Sequence, residues 1–415
     1  MAFIKYALPV LAAAGAVVAA GKSNKLLLVL VARCLTRSTD CGSGDTIKIE
    51  SQSDLDSYNS CKTIDGDVSL ADSLSGDVTL SGVSRIKGAL SAQGGANITS
   101  LSAPNLETID DAFSLEGATS LTSLDFPSLT SVGEIKLEAV PILQSLGFTK
   151  GVTEAGSVSI VNTGLTSLDG ISLNSVGSFI VTDNTQLEKV DVNNLKNATN
   201  LINFAGNYDE LEIMLPNLAS GTNLTIRNVS SVSLPSLEKL EGQLGFWGNS
   251  FSSLSAPNLT ESGDLVFEDN SNLRNLSLPA LKTVNGGFLI TRNDKLSTIR
   301  FPKLATVTGA IDFSGAFDEA SLPSLKNVRG GFNMQSTGNF SCETFNDWKD
   351  NTIHGKYSCK ASTNDPTTAD GTSGSSTTTS GDDASPTDDA AVLTAANVPA
   401  MGLAAVFGLL VQYVL

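Results

Sequence analysis

The chain has 415 residues, 41% of them hydrophobic, and a formal net charge of -17 from 26 basic and 43 acidic side chains. That length is enough for one large domain or two ordinary ones, and so acidic a surface, with no Lys/Arg cluster to offset it, excludes nucleic acid as a partner. The apolar residues fall in short groups among 37 Gly and abundant Ser, Thr and Asn, a texture of many short strands and turns, not of long helices.

Residues 1–20, MAFIKYALPVLAAAGAVVAA, carry Lys5 ahead of an apolar run that ends in small residues. This is the pattern of a secretory signal peptide, with cleavage after Ala20 set by the small side chains of Val18 and Ala20. The run is too short and too rich in Ala for a spanning helix. Residues 21–40 match neither the leader nor the chain beyond residue 40: they are basic, aliphatic and contain the odd cysteine, Cys34. One reading is a second hydrophobic element. The preferred reading is a retained intron, since Gly21-Lys22 can be encoded by a 5′ splice site and Leu35-Thr36 by a branch point; a spliced transcript that still encodes Leu26–Val31 would end it.

The other four cysteines bracket the regular part of the chain, Cys41 and Cys61 at one end, Cys342 and Cys359 at the other. None forms a C-x-x-C metal or redox pattern. In the oxidising compartment that the leader implies, local pairing is expected, Cys41 with Cys61 and Cys342 with Cys359, each bridge fastening one end of the fold.

Between them a phrase recurs, as in LSAPNLETI at 101–109, VSLPSLEKL at 232–240 and LSLPALKTV at 276–284. From Pro216 its prolines are spaced by 19, 22, 22, 23 and 21 residues, and the 89 residues from Pro127 to Pro216 make four periods of the same length. A second element alternates with it, such as Leu265-Val266-Phe267-Glu268-Asp269-Asn270 and Phe288-Leu289-Ile290-Thr291-Arg292-Asn293. The first and third residues of each group are apolar, and in a strand these share a face. The fold expected is mainly β: a right-handed β-helix or leucine-rich-repeat-like solenoid of about 12–13 coils of ~22 residues between Val68 and Gln335, one strand per coil, each coil burying its apolar pair against its neighbours. Proline belongs at the corner where no ladder hydrogen bond is needed. Asn184, Asn207, Asn249, Asn270 and Asn293 close their strands, where Asn tolerates a left-handed corner and can bond the next layer; Asn162 and Asn228 stand one position out of register.

The repeat region, 41–360, gives way to 361–383, rich in Ser, Thr, Asp and Gly, which reads as an O-glycosylated, disordered stalk. Residues 384–415 end in an apolar tail with no basic residue after it. Small residues, polar spacer and tail make a GPI-attachment signal, with the anchor at Asp383 and Gly381 or Asp389 as alternatives. N-x-S/T sequons stand at Asn97, Asn197, Asn223, Asn228, Asn258, Asn275 and Asn339, and the leader makes them candidates for N-glycosylation.

The phrases LSAPNL and LSLPAL, the strand DLVFEDN, the stretch CGSGDTIKIESQSDLDSYNSC and the ending VPAMGLAAVFG resemble the fungal GPI-anchored cell-wall organisation proteins, whose leucine-rich coils are related to receptor L domains. The resemblance covers residues 41–360 and both end signals and omits 22–40. It implies a surface location in the plasma membrane outer leaflet or the wall, mannosylation and a role in wall integrity; it brings no catalytic residues.

Chemistry is sparse along the chain. The single histidine, His354, falls in the C-terminal cap and reads as a surface residue there. One His and no closely spaced Cys pair give no metal site, and no cofactor motif is present. Carboxylates at Asp110-Asp111, at Asp209, Glu210 and Glu212, and at Glu268-Asp269 are candidates for glycosidase chemistry, but adjacent residues on a strand point to opposite faces. The outward row of the strands is a better candidate: alternation places Arg227, Trp247, Glu268, Thr291, Ser314 and Gln335 on successive coils. An exposed Trp there would stack on a sugar or anchor a partner, unless a glycan or loop covers it. Three functions are compatible with this pattern: a non-catalytic scaffold touching wall polysaccharide or wall and membrane proteins, a receptor-like module with a glycan or protein ligand on this row, and, least favoured, a wall-glycan-modifying enzyme.

Overall fold

The computed structural model describes residues 40–369. The leader, the atypical segment with Cys34, the anchor positions Gly381, Asp383 and Asp389, and the stalk beyond 369 lie outside the described residues.

Every strand pairing among the described residues is parallel, and the same two columns of side chains run through successive layers. Leu244, Leu265, Phe288, Ile311 and Phe332 stand over one another in one column, and Phe246, Phe267, Ile290, Phe313 and Met334 in the other. All ten are buried. This is what period-2 alternation repeated every ~22 residues must produce, since no single coil can cover its own apolar pair. Aromatic members meet their neighbours, Phe246 stacking on Phe267 at 5.2 Å and Phe288 meeting Phe313 edge-on at 4.9 Å. Each buried Phe or Leu contributes roughly 1.5–3 kcal/mol relative to exposure.

The solenoid has about 15 turns. The window counted from the sequence omits two of them: the layer of Ile47–Ile49, which precedes Val68, and that of Tyr357–Lys360, which follows Gln335. Many layers also hold more than one strand. Short strands such as Ser253–Ser255 and Asn275–Ser277 pair on a second face, with only the central Leu254 buried or Leu276 half-buried. The single strand per coil expected from the sequence missed these three-residue pieces, because one inward residue makes a weak alternation signal.

Each coil turns two chemically distinct corners. At the end of the main strand or just past it comes a left-handed residue, and it recurs layer upon layer at Ala139, Asn162, Asp183, Gly206, Asn228, Gly248, Asp269 and Arg292, with φ between 53° and 64°. Asn162 and Asn228, out of register in the sequence, occupy this position. The next residue carries the asparagine ladder. Asn270 accepts hydrogen bonds on Oδ1 from the backbone N–H (3.1 Å) and Nδ2 (2.8 Å) of Asn249 in the preceding layer. It donates from Nδ2 to the Phe246 carbonyl at 3.1 Å and to Asn293 Oδ1 at 3.0 Å. Thus the left-handed backbone and the interlayer bond, expected of one residue from the sequence, belong to two. The other corner holds the prolines. Pro104, Pro127, Pro216, Pro235, Pro257, Pro279, Pro302 and Pro323 each take the second position of a turn closed by a hydrogen bond such as Leu281 N–H to the Leu278 carbonyl, where a fixed φ suits and no donor is required.

The disulfides join Cys41 to Cys61 and Cys342 to Cys359, with Cα–Cα separations of 5.8 and 5.9 Å. At the far end two short helices, Glu343–Asn346 and Trp348–Asn351, bring Phe345 and Trp348 against Phe332. Residues 361–369, assigned to the stalk by composition, are held against the solenoid. Thr363 N–H donates to the Ser336 carbonyl at 3.0 Å, Asn333 Nδ2 to the Thr367 carbonyl at 2.8 Å, Thr367 N–H to Gln335 Oε1 at 3.3 Å and Ala369 N–H to Asp312 Oδ2 at 2.8 Å. Pro366 and Thr368 are buried there.

Candidate functional site

The outward row exists in the predicted register: Arg227, Trp247, Glu268, Thr291, Ser314 and Gln335 are consecutive partners across six layers. Its two halves differ in exposure. Arg227, Trp247 and Glu268 are half-buried. Thr291, offered from the sequence as a ligand contact, is buried together with Ser314 and Gln335. The reason is local packing: the Thr291 hydroxyl pairs with that of Ser314 at 3.0 Å, and Gln335 receives Thr367 of the returning segment. The candidate face therefore contracts to three residues of the row and their left-handed neighbours.

The geometry of that remainder is specific. The six-membered end of the Trp247 indole lies over Gly245, so closely that a Cβ there would overlap Cη2 and Cζ3. The Arg227 guanidinium stands over the ring, 4.5 Å from its centroid, in a cation–π contact. Trp247 Nε1 donates to Glu268 Oε2 at 3.0 Å. Arg292, at the left-handed corner two layers along from Gly248, binds the Glu268 carboxylate through Nη2 and grips Asp269 through Nε and Nη2 at 2.6 and 3.0 Å. The ring face that the sequence offered to a sugar is thus occupied by Arg227. Burial pulls the Arg227 pKa down, against the opposing pull of the Glu268 charge, whereas the Asp269 hydrogen bond holds that of Arg292 above its ordinary value. Together Arg227, Asn228, Trp247, Gly248, Glu268 and Asp269 line a shallow depression of about 320 Å³.

The other candidates are dispersed. Arg85 forks onto Asp110, with Nη2 2.7 Å and Nε 3.1 Å from its two oxygens. Exposed His354 pairs with Asn327 at 3.1 Å, in the cap region where the sequence put it. Among the described residues no group of three or more His, Cys, Asp or Glu is placed to hold a metal ion. Sequon asparagines Asn97, Asn228, Asn258, Asn275 and Asn339 are exposed, while Asn197 and Asn223 are half-buried. Asn197 Oδ1 accepts from Ser220 Oγ, and Asn223 Oδ1 from the Gln243 N–H, each at 2.9 Å. Sequence reasoning did not find Asp312 and Asn333, which hold the returning segment, or Arg292, whose side chain organises both carboxylates of the depression. The one available signal was at the second position of the alternating groups, where Val266 and Leu289 are apolar though they point outward, and both are buried.

Stacked parallel coils with Leu in register define a leucine-rich-repeat solenoid, and residues 93–212 and 223–321 match the BspA-type leucine-rich repeat region in 6 copies. Residues 1–25 and 26–59 match the family described as Ecm33, GPI-anchored cell wall organization protein. The chain is 60% identical over 417 residues, the whole of both chains, to "Protein ecm33" of Aspergillus fumigatus. It is 43% identical over 351 residues, 84% of this chain and 90% of the other, to "Cell surface GPI-anchored protein" of Arthroderma benhamiae. To "Cell wall protein ecm33" of Schizosaccharomyces pombe it is 32% identical, over 58% of each chain. No solved structure matches. The chain belongs to the Ecm33 family of GPI-anchored cell-wall organisation proteins, and with it to the cell surface. No helix among the described residues is long and apolar enough to cross a membrane.

Proposed function

We propose that the chain works without catalysis, as a surface-tethered scaffold that organises the cell wall and supports its integrity. The tether in this reading is a GPI lipid at Asp383, with Gly381 and Asp389 as alternative attachment points. Its contacts are wall polysaccharide or wall and membrane proteins, met on the face that carries Arg227, Trp247 and Glu268. The observation that carries the reading is the rigid register of that row on a stack of about 15 turns: neighbouring side chains are held ~4.8 Å apart by backbone hydrogen bonds, which suits repeated contact with an extended partner. Of the carboxylates weighed for hydrolysis, Asp110 pairs with Arg85, and Glu268 and Asp269 pair with Arg292. The receptor-like reading is favoured by the depression beside Trp247, which suits a discrete ligand group.

The test is complementation. Cells that lack the protein are given the wild type or Trp247→Ala, and wall-stress resistance is scored at matched surface levels. The reading expects release of the wild type by phosphatidylinositol-specific phospholipase and poor rescue by the variant. Full rescue would remove the row from the function, and cleavage of wall glucans by the purified protein would replace the scaffold by an enzyme.

A further inference from the structure

Of the charged and aromatic side chains around the depression on the outward row, all but one settle one another. Both carboxylates are taken, Glu268 by Arg292 and by Trp247 Nε1, and Asp269 by the fork of Arg292. Arg292 is satisfied by the same contacts. Arg227 is different. Among the described residues its guanidinium has the Trp247 ring as its partner and makes no hydrogen bond or ion pair. A guanidinium carries five N–H donors in a rigid fork that matches a carboxylate or a phosphate. Held half-buried on an aromatic face, it is partly stripped of water, and an anion meeting it there forms a stronger charge-assisted bond than it would with a fully solvated guanidinium. The arrangement is pre-organised for an anion: Trp247 is fixed from below by Gly245 and laterally by Glu268, so the guanidinium is presented outward at a defined position.

We propose that this depression binds an acidic carbohydrate, its carboxylate or phosphate group on Arg227 and its hydroxyls on the rim carboxylates Glu268 and Asp269. The proposal rests on the contact-face reading above and gives it a ligand class. Each rim carboxylate keeps lone pairs beyond those used by Arg292 and Trp247, and a sugar hydroxyl is a donor that such an oxygen accepts. The volume, about 320 Å³ and open to one side, suits one ring of a longer polymer. A neutral glucan would leave the Arg227 donors unmatched, and an acidic peptide would offer few hydroxyls to the rim. Asn228, a sequon residue exposed at the edge of the same depression, would bring its own glycan next to the bound ring if modified.

The test titrates the purified full-length protein with glucuronate, glucose 6-phosphate, glucose and N-acetylglutamate, reading Trp fluorescence and heat. Glucuronate or glucose 6-phosphate, or both, should bind; which of the two is tighter tells carboxylate from phosphate as the source of charge. Binding should fall at least 10-fold in Arg227→Gln and at high salt, and be partly kept in Arg227→Lys, which retains the charge without the fork. Glucose binding as well as its acidic counterparts, binding unchanged in Arg227→Gln, or binding of neither acid would overturn the proposal. N-acetylglutamate binding as tightly as glucuronate would reassign the site to acidic peptides and overturn the carbohydrate class. The two readings fail separately: acids that bind while Trp247→Ala rescues fully would leave this inference standing without the contact-face function, and the reverse result would do the opposite.

Discussion

Replacing Asn270 by Ala removes a rung from the middle of the asparagine ladder while leaving the inward apolar columns intact. Asn270 is fully buried. Its loss orphans one backbone group, the Asn249 N–H, which donates to Asn270 Oδ1 at 3.1 Å, and removes the 3.1 Å bond of Asn270 Nδ2 to the Phe246 carbonyl, which keeps its place in the sheet ladder. The Asn249 side chain also loses its 2.8 Å acceptor, although its second bond, to the Ile226 carbonyl, survives. One buried unsatisfied group at roughly 1–3 kcal/mol, with the other lost bonds and a small cavity added, predicts a loss of about 2–4 kcal/mol. Denaturant unfolding followed by circular dichroism measures the total. Hydrogen exchange then locates it, and protection should drop at Asn249 and its layer while distant layers keep theirs, because coils couple to nearest neighbours. Exposed Asn258, with one bond to the Pro235 carbonyl, is the control, and its Ala variant should lose less than about 1 kcal/mol. An Asn270→Ala protein within about 0.5 kcal/mol of wild type would refute the claim that the ladder holds the layers together.

Gly245→Ala should drive the indole of Trp247 off the sheet, because the added methyl would overlap its six-membered ring; a red-shifted Trp emission is expected over the constant background of Trp348, and an unchanged spectrum would contradict the packing. Cys342→Ser opens a loop of 17 residues and should cost about 3 kcal/mol, with limited proteolysis cutting between 341 and 358 first. Glu116, hydrogen-bonded by Lys136, is held below its ordinary pKa of 4.5. A lowered folded-state pKa gives stability that is present above the unfolded value and disappears as pH falls through the folded one. Melting scans should therefore show a small acid-side loss below pH ~4.5, a few tenths of a kcal/mol for so exposed a pair, which Glu116→Gln abolishes.

The columns of the solenoid were legible because Leu265 with Phe267, or Phe288 with Ile290, repeat their spacing at ~22 residues, and no other fold satisfies that spacing so simply. The cysteine pairing followed from position along the chain. Other features were hidden for physical reasons. Asn162 and Asn228 looked misplaced because a left-handed backbone and a ladder side chain favour the same residue type, so the sequence does not separate the two roles; the ladder position itself tolerates Thr163, whose hydroxyl takes the place of the amide at 2.6 Å from Asn184. Thr291 looked solvent-facing because alternation reports direction and not what lies on top. Residues 361–369 have almost no apolar content and are fixed by backbone hydrogen bonds to Asp312, Asn333 and Gln335, three polar side chains that read like any solvated strand face. Arg292 reads as a corner residue until its partners in the preceding layer are known.

The returning segment also decides how the molecule meets mechanical load. Because the chain runs back from the last layer, Tyr357–Lys360, past Gln335 to Asp312 two layers before it, a pull transmitted from the C-terminal side reaches the bond of Ala369 to Asp312 first and that of Thr367 to Gln335 next. These contacts would peel in sequence before any force reached the final coil and its bridge between Cys342 and Cys359. A protein tethered on that side carries a sacrificial seam that yields ahead of the stacked layers.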